Sequence, residues 1–363
     1  MKKQKNIFFF LPNFSIGGAG NSVTNICKIV ASKNYNITVF SIGKNLYKKD
    51  LLLSKVNVIE LKKQKTILAI FKIIKYFAFK YKNEKIIFVS NINYANVLSC
   101  IFIKRIKNLK LILIERTPIQ ELQIYFSITE IFKKKLILIL LKLFYNRADF
   151  IIGNSKKLSI DLSKKINCKI QTINPYINIK NIKKKYNKVP RLVWIGRNSP
   201  EKNIDDFITS LQFIHNLNIK ILIITDKDFN SLKNKIPKLI KQNTKFIKFN
   251  KSNNSIDKIY EKSDILVNTS LYEGFPNVIA EAINHKCLII TSDSFGGKND
   301  LIKNEKYGLI YKTKNFKELS KKIIFAVKNF KECKNKINLA KKNLIHIAKE
   351  NNIKYINFFK NIN

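Results

Sequence analysis

The stretch Ser270-Leu-Tyr-Glu-Gly-Phe-Pro-Asn-Val-Ile-Ala-Glu281 separates two regular patterns. Before it, Ile265-Leu-Val-Asn-Thr269 is a short apolar run that is typical of a buried strand. After it, apolar residues recur at helical spacing from Val278, and Pro276 stands where a first helical position tolerates a missing N–H. The pattern predicts a strand, a glycine-containing loop and a helix N-terminus, which offers N–H groups and a positive dipole end to an anion.

Two carboxylates belong to this segment. Glu273 is predicted in the loop and Glu281 about one turn into the helix, so both can face one cleft. Without further information, an acidic helix start with a solvated Glu281 is the plainer interpretation. The residue types and their spacing in this segment, however, resemble the signature of the group 1 family of retaining glycosyltransferases. That signature is Glu-Gly-Phe-(Pro or Gly), with a second Glu eight positions after the first. The matching residues are Glu273, Gly274, Phe275, Pro276 and Glu281.

The resemblance implies the GT-B fold, an α/β architecture of two Rossmann-like doubly wound domains that face each other across a cleft. A final helix is expected to cross back to the N-terminal domain. The resemblance also implies that Glu281 holds the ribose of a nucleotide, and that Glu273 and the loop amides contact the donor sugar. The donor-binding loop residues are then Gly274, Phe275, Pro276, Asn277 and Val278.

Two cations follow the predicted strand Arg191-Leu-Val-Trp-Ile-Gly196, in the loop Arg197-Asn-Ser-Pro-Glu-Lys202. At the carboxyl end of a strand they suit a diphosphate. The guanidinium of Arg197 can donate two parallel hydrogen bonds, and the ammonium of Lys202 supplies a compact positive charge. Two solvated loop cations are the alternative in so basic a chain. The spacing resembles the pair that holds the pyrophosphate in the family, which implies that Arg197, Lys202 and Glu273 form the catalytic set.

The first domain offers weaker signals. A glycine-rich turn with Gly17 and Gly18 follows the predicted strand 7–11 and precedes a helix predicted from about Ser22 to Ser32. Taken alone, this turn indicates only a tight connection. In the resembled family a Gly-Gly pair here lines the cleft beside the donor, which makes both glycines donor-binding candidates. Arg116 ends another predicted strand and, by the same resemblance, is a candidate for acceptor binding; an ion pair at the strand end is the alternative.

The length of 363 residues suits two domains. Asn174-Pro-Tyr-Ile-Asn178 resembles the family's linker, and the basic run 180–188 suits an interdomain connection. We expect an acceptor-binding domain over 1–182, a nucleotide-sugar-binding domain over 183–345, and a helix over 346–363 that packs on the first domain. The tail patterns predict helices over 316–329, 334–349 and 353–359.

The net charge of +45 admits two explanations, attraction to nucleic acid or an anionic membrane, or lysine-rich composition throughout. The helix predicted over 66–82 has one apolar stripe and is expected to pack on its own sheet. The helix predicted over 129–147 is apolar all round and carries Lys133-Lys-Lys135, which favours partial membrane contact. No apolar run is long enough to span a bilayer.

Metal binding is not expected. The five cysteines are scattered without metal spacing, which suggests reduced thiols in the cytoplasm. A strand predicted to start at Lys220 ends in Asp226-Lys-Asp228, and in the other glycosyltransferase fold such a pair binds the metal that holds the donor diphosphate. Because the neighbouring segments resemble GT-B, which needs no metal, we interpret Asp226 and Asp228 as structural, with a helix cap at one of them.

The resemblance thus implies a retaining, metal-independent glycosyltransferase that requires no cofactor. Its donor is a nucleotide-diphosphate sugar, expected to be UDP-linked and to carry a hexose or N-acetylhexosamine. Its acceptor is a glycan or a lipid-linked precursor of a cell-surface polysaccharide such as lipopolysaccharide or capsule, met on the cytoplasmic face of an anionic membrane. The alternatives are a basic nucleic-acid-binding protein, for which no specific motif appears, and a catalytically inactive carbohydrate-binding protein.

Overall fold

Two units, each with its own parallel sheet, make up the protein. The structure is a computed structural model, and it describes residues 5–15, 17–33, 35–226, 230–248 and 256–362. The first unit is Met1–Tyr176 with Lys349–Asn363, and the second is Ile177–Ala348. The expected α/β class with parallel sheets is confirmed.

The first unit contains a seven-stranded parallel sheet in the order β3-β2-β1-β4-β5-β6-β7. Its strands are short apolar runs because both faces of the sheet are covered. They are β1 (Asn6–Phe10), β2 (Asn36–Ile42), β3 (Asn57–Leu61), β4 (Ile86–Asn91), β5 (Leu109–Glu115), β6 (Phe150–Gly153) and β7 (Gln171–Thr172). The helices are α1 (Gly18–Ala31), α2 (Lys48–Leu53), α3 (Thr66–Lys80), α4 (Asn93–Ile101), α5 (Ile128–Phe144) and α6 (Lys156–Ile166).

Alternation along β1 divides the core of the first unit into two layers. Phe8 and Phe10 face the layer that α3 to α6 cover. Helix α3 thus packs on its own sheet, as expected for the helix predicted over 66–82. Ile7 and Phe9 face the opposite layer, where α1 packs. The ring of Phe359 belongs to this second layer, with its centroid 6.0 Å from that of Phe9.

The second unit contains a six-stranded parallel sheet in the order β10-β9-β8-β11-β13-β15, and a separate two-stranded pair, β12 with β14. The strands are β8 (Arg191–Ile195), β9 (Lys220–Thr225), β10 (Thr244–Lys248), β11 (Ile265–Asn268), β12 (Tyr272–Glu273), β13 (Leu288–Ser292), β14 (Phe295–Gly296) and β15 (Leu309–Tyr311). The helices are α7 (Ile204–Ser210), α8 (Asn230–Lys235), α9 (Lys238–Lys241), α10 (Ile256–Glu261), α11 (Asn277–Asn284), α12 (Lys298–Ile302) and α13 (Phe316–Lys328). Helix α14 (Phe330–Asn361) begins in the second unit and ends in the first.

The tail corrects the prediction of three helices. It forms two, α13 and the 32-residue α14, which runs without interruption through the predicted breaks. No Gly or Pro occurs between residues 330 and 361. Buried residues recur along α14 at intervals of seven and four, so one helical face stays covered throughout: Ile337, Leu344, Ala348, Tyr355 and Phe359.

Three local expectations are also wrong in detail. Helix α1 begins at Gly18 rather than near residue 22, because Asn21 N already donates to Gly17 O at 3.1 Å. Pro276 is the N-cap of α11 rather than its first helical residue, since its ψ of 88° is not helical. Glu273 lies in β12 rather than in a free loop. Within the described residues, no helix is long and apolar enough to cross a membrane.

Candidate functional site

The loop after β8, residues 197–202, carries the two predicted phosphate-binding cations and is here called the cation loop. It ends in a single 3-10 turn, Pro200–Lys202. Arg197 is largely exposed, with 63% of its side chain accessible, and its guanidinium donates to Glu201 Oε1 at 2.7 Å. Leu271 N donates to Glu201 O at 2.8 Å, which attaches the loop to the segment Ser270–Glu281, here called the signature segment.

The structure brings Lys202 and Glu273 together as an ion pair. Lys202 Nζ contacts Glu273 Oε1, and the two side chains are only 18% and 15% exposed. Ser270 Oγ donates to the same carboxylate oxygen at 2.8 Å. Two residues that the resemblance implied to act in catalysis are therefore in contact, although 71 positions separate them in the chain.

The backbone of Glu273 is held by the glycine pair Gly296-Gly297. Strand β12 pairs with β14, and Gly297 N donates to Glu273 O at 3.1 Å. Gly296 has a φ of +108°, and a Cβ there would lie 1.6 Å from Glu273 O. Only glycine fits, because an L side chain would collide with the carbonyl and strain the backbone.

Helix α11 follows with its N-terminus at Asn277, and no side chain caps it. The first N–H groups of a helix have no intrahelical acceptor, so they remain available to an anion or a sugar oxygen. The ring of Phe275 is buried among the apolar residues of this layer. A donor contact from Phe275 would therefore come from its backbone, which is the kind of contact that the resemblance implies.

Glu281 is partly buried, and a small cluster on α10 and α11 surrounds it. Tyr260 Oη donates to Glu281 Oε2 at 3.1 Å, and the ring of Tyr260 stacks on that of His285 with centroids 5.4 Å apart. Burial raises the pKa of Glu281 to about 7, against the smaller opposing effect of the Tyr260 hydrogen bond. Burial lowers the pKa of His285, although Asp257 lies 3.1 Å from its Nε2. The solvated Glu281 of the plainer interpretation is thus not what the structure shows.

The first unit holds the remaining predicted site residues. Gly17 N lies 3.4 Å from Tyr47 Oη, and Gly18 opens α1. Arg116 is buried, and its guanidinium donates to Asn91 Oδ1 at 2.9 and 3.1 Å and to Ser22 Oγ at 2.8 Å. Among the residues that the structure describes, none forms the alternative ion pair with it. The donor role of the glycines and the acceptor role of Arg116 stay predictions.

The Asp-x-Asp pair is described only in part. Asp226 Oδ1 accepts from Asn198 N at 3.0 Å, so Asp226 supports the cation loop. Asp228 lies outside the described residues. Among the residues that the structure describes, no group of three or more His, Cys, Asp or Glu side chains is placed to hold a metal ion.

Sequence reasoning missed several residues of this site. Tyr260 contacts Glu281 from α10, and no local pattern marks it. Gly296 and Gly297 are an adjacent glycine pair in the sequence, but their contact with Glu273 depends on the β12–β14 pairing. Ser270 stood inside the quoted segment, and its polarity next to a buried strand was the available signal.

Comparisons with known proteins agree with this geometry. Residues 176–343 match the family model described as Glycosyl transferases group 1. A curated relative, the amylovoran biosynthesis glycosyltransferase AmsD of Erwinia amylovora, is 28% identical over 128 residues, which cover 35% of this chain and 36% of that protein. The match therefore spans about a third of that relative's length.

Solved structures cover nearly the whole chain. Anabaena Alr3699/HepE in complex with UDP-glucose has a TM-score of 0.80 at 17% identity, over 98% of this chain and 100% of that one. A glycosyltransferase from Rickettsia africae ESF-5 has a TM-score of 0.73 at 19% identity, over 99% and 100%. Residues 176–343 thus form a glycosyl transferases group 1 domain, within a chain that has the GT-B fold.

Proposed function

We propose that the protein is a retaining, metal-independent transferase that moves a hexose or N-acetylhexosamine from a UDP-linked donor to a glycan or lipid-linked acceptor. The observation that carries the proposal is the ion pair between Lys202 and Glu273. Glu273 belongs to the signature segment, which also contains the N-terminus of α11. The UDP-glucose bound to the HepE structure supports the donor class. The name of AmsD supports a role in polysaccharide synthesis.

The chemistry assigns each group a task. Arg197 and Lys202 neutralise the leaving diphosphate, whose negative charge grows in the transition state. Glu273 accepts from sugar hydroxyls, the amides of the signature segment orient the donor, and Glu281 accepts from the ribose. The bond from the anomeric carbon to the phosphate oxygen breaks, and a bond to the acceptor oxygen forms on the same face. The acceptor's proton passes to the leaving diphosphate, so no covalent nucleophile is required.

Donor screening tests the proposal. Purified protein is heated with individual nucleotide sugars, and the true donor raises the melting temperature because ligand binding stabilises by mass action. The same donor is then followed for release of its nucleotide diphosphate. Binding of arbitrary DNA that weakens with salt, without turnover of any nucleotide sugar, would favour the nucleic-acid alternative. Sugar binding without turnover would favour the inactive carbohydrate-binding protein.

Peripheral contact with an anionic membrane completes the proposal, and α5 is the surface that supports it. Apolar side chains with exposed fractions between 54% and 74% lie along this helix at spacings of three and four: Ile128, Phe132, Leu136, Ile139 and Leu143. They form one continuous stripe, because residues three and four apart share a helix face. Ile137 and Leu141 of the same helix are buried in the core, so α5 is apolar on both sides.

The cations of α5 suit an anionic lipid surface. Lys133, Lys135 and Lys142 are exposed beside the apolar stripe. Lys134 is different, since its Nζ donates to Ile124 O at 2.7 Å and pairs with Glu130 at 3.0 Å. A basic, apolar helix surface of this kind lies in a membrane interface rather than across it. These features support the proposal that the protein acts at the cytoplasmic face of the cell membrane, where a lipid-carried acceptor would be met.

A further inference from the structure

Three buried polar residues, Asn268-Thr269-Ser270, run from the last residue of β11 to the first residue of the signature segment. Their exposed fractions are 5%, 1% and 1%. Buried polar groups are costly unless they are hydrogen-bonded, so the partners that they take indicate what they do. Along an extended segment successive side chains alternate between two sides. Thr269 and its neighbours accordingly take different partners.

Thr269 links the core to the cation loop. Trp194 Nε1 donates to Thr269 Oγ1 at 2.9 Å, and Thr269 Oγ1 donates to Lys202 O at 2.7 Å. The direction is fixed, because an indole N–H can only donate and a carbonyl oxygen can only accept. The backbone of Lys202 is therefore attached to the β8 tryptophan through a single hydroxyl.

Ser270 links the core to Glu273 in the same way. Thr291 Oγ1 donates to Asn268 Oδ1 at 3.2 Å, Asn268 Nδ2 donates to Ser270 Oγ at 3.3 Å, and Ser270 Oγ donates to Glu273 Oε1. Since an ionised carboxylate only accepts, the serine hydrogen points at Glu273. The backbone of Ser270 is also held, because Ser292 Oγ donates to Ser270 O at 2.6 Å.

We infer that Thr269 and Ser270 are positioning residues for the Lys202–Glu273 pair. This inference rests on the proposed function. When a diphosphate takes over Lys202, the carboxylate loses its counter-ion, and the Ser270 hydroxyl keeps it oriented. The Thr269 hydroxyl keeps Lys202 at a fixed distance from the signature segment during that exchange. Glu273 Oε2, which makes no hydrogen bond to any described residue, is left to face a sugar hydroxyl.

The test compares near-isosteric variants. Thr269→Val removes the hydroxyl at almost constant shape, Thr269→Ser keeps it, and Ser270→Ala removes the second one. We expect T269V and S270A to lower kcat by about 10- to 100-fold, as a displacement of reacting groups does. KM for the donor and the affinity for UDP should change less than kcat, because the diphosphate charge that Lys202 meets grows in the transition state. T269S should stay within about twofold of the parent, because it preserves the hydrogen-bonded hydroxyl.

A double-mutant cycle locates the effect. If Trp194 acts on Lys202 only through Thr269, then Trp194→Phe combined with T269V is no slower than the slower single variant. W194F also replaces T269V as the test if the latter does not fold. The inference is overturned if T269V and S270A keep the parental kcat, or if T269S loses as much as T269V. It is equally overturned if kcat, UDP affinity and melting temperature fall together, since that marks a purely structural role. A parent chain that turns over no nucleotide sugar overturns the proposed function itself.

Discussion

At the residue scale, each of the two cations of the cation loop forms an ion pair with a carboxylate. Lys202 pairs with Glu273 and Arg197 with Glu201. The two pairs differ in burial, because Arg197 is mostly exposed whereas Lys202 is largely shielded. A bound diphosphate would compete with a carboxylate for each cation. The shielded pair is the stronger candidate for transition-state stabilisation, since screening by water weakens interactions of exposed charges.

Removal of either cation should slow the reaction. We expect Lys202→Ala and Arg197→Ala each to reduce kcat by an amount that corresponds to about 2–4 kcal/mol, because each removes a charge-assisted contact to the leaving group. Melting temperatures should change little. Lys235→Ala is the matched control, since Lys235 is an exposed partner of Asp205 in the same unit. Near-parental rates for both variants on a verified donor would show that the diphosphate lies elsewhere.

Donor affinity should depend on the ionisation of Glu281. Its pKa is about 7, and its deprotonated form is the better acceptor for ribose hydroxyls. Between pH 6 and pH 8 the ionised fraction rises about tenfold, so the affinity for a UDP-sugar should rise by up to that factor. Calorimetric titration of the parent and of Glu281→Gln measures this, and the variant should show a flat profile. Burial lowers the pKa of the neighbouring His285, which favours its neutral form over this range.

The same carboxyl affects stability with a defined sign. Its folded-state pKa of about 7 lies above the ordinary value of 4.5, so the folded state binds more protons between these two pH values. Its contribution to stability is therefore complete below about pH 4.5 and is lost as the pH rises to about 7.

The calorimetric titration of donor affinity also has an outcome that would contradict the role of Glu281. If the affinity of E281Q for a UDP-sugar depends on pH as strongly as that of the parent, Glu281 is not the ribose ligand.

At the element scale, α5 combines two roles that are usually separate. Ile137 and Leu141 anchor it to the sheet of the first unit, while Phe132, Leu136 and Ile139 remain exposed. Most surface helices bury one apolar face and expose a polar one. A second apolar face flanked by lysines is the arrangement expected of a helix that lies in a lipid interface.

Vesicle flotation tests α5. The variant Lys133→Gln/Lys135→Gln/Lys142→Gln should bind anionic vesicles on the order of 100-fold more weakly, because each lysine near the surface contributes about 1 kcal/mol. Donor hydrolysis should be unchanged. The control removes three exposed lysines on and after α6, as Lys164→Gln/Lys165→Gln/Lys169→Gln. Binding of the parent should require anionic lipid and weaken with salt. If the α5 variant floats as well as the parent, this helix does not dock on lipid.

At the scale of the whole molecule, positive charge dominates, and it gives the proposed chemistry an alternative to a metal. With a net charge of +45, the chain can attract an anionic donor without a divalent cation. The cation loop supplies Arg197 and Lys202 beside the signature segment. Asp226 holds the backbone of that loop, which is a structural task.

We therefore expect turnover to survive EDTA. The measurement is donor hydrolysis and transfer with excess chelator, and then with added manganese. Asp226→Asn serves as the matched variant. It should alter the hydrogen bond that Asp226 accepts from the cation loop, while turnover stays equally insensitive to EDTA and manganese. Complete loss of turnover in EDTA that manganese restores would make Asp226 and Asp228 metal ligands and would contradict the interpretation above.

Much of this protein could be derived from local sequence. Continuous apolar runs predicted the main parallel strands, because strands covered on both faces are apolar along their whole length. The spacing of Glu273, Glu281, Arg197 and Lys202 led to the family and to GT-B. These signals are readable since each depends on residues that are close in the chain.

Only the tertiary structure decided how the site is held. The Lys202–Glu273 pair, the Tyr260 contact to Glu281 and the link from Trp194 through Thr269 join residues far apart in sequence. No periodicity encodes them, because hydrogen bonds form wherever the packing of strands brings donors and acceptors together. The unbroken α14 was missed for the same reason. Its polar segment between residues 349 and 353 resembles a break, whereas the buried residues of α14 before and after that segment favour a continuous helix.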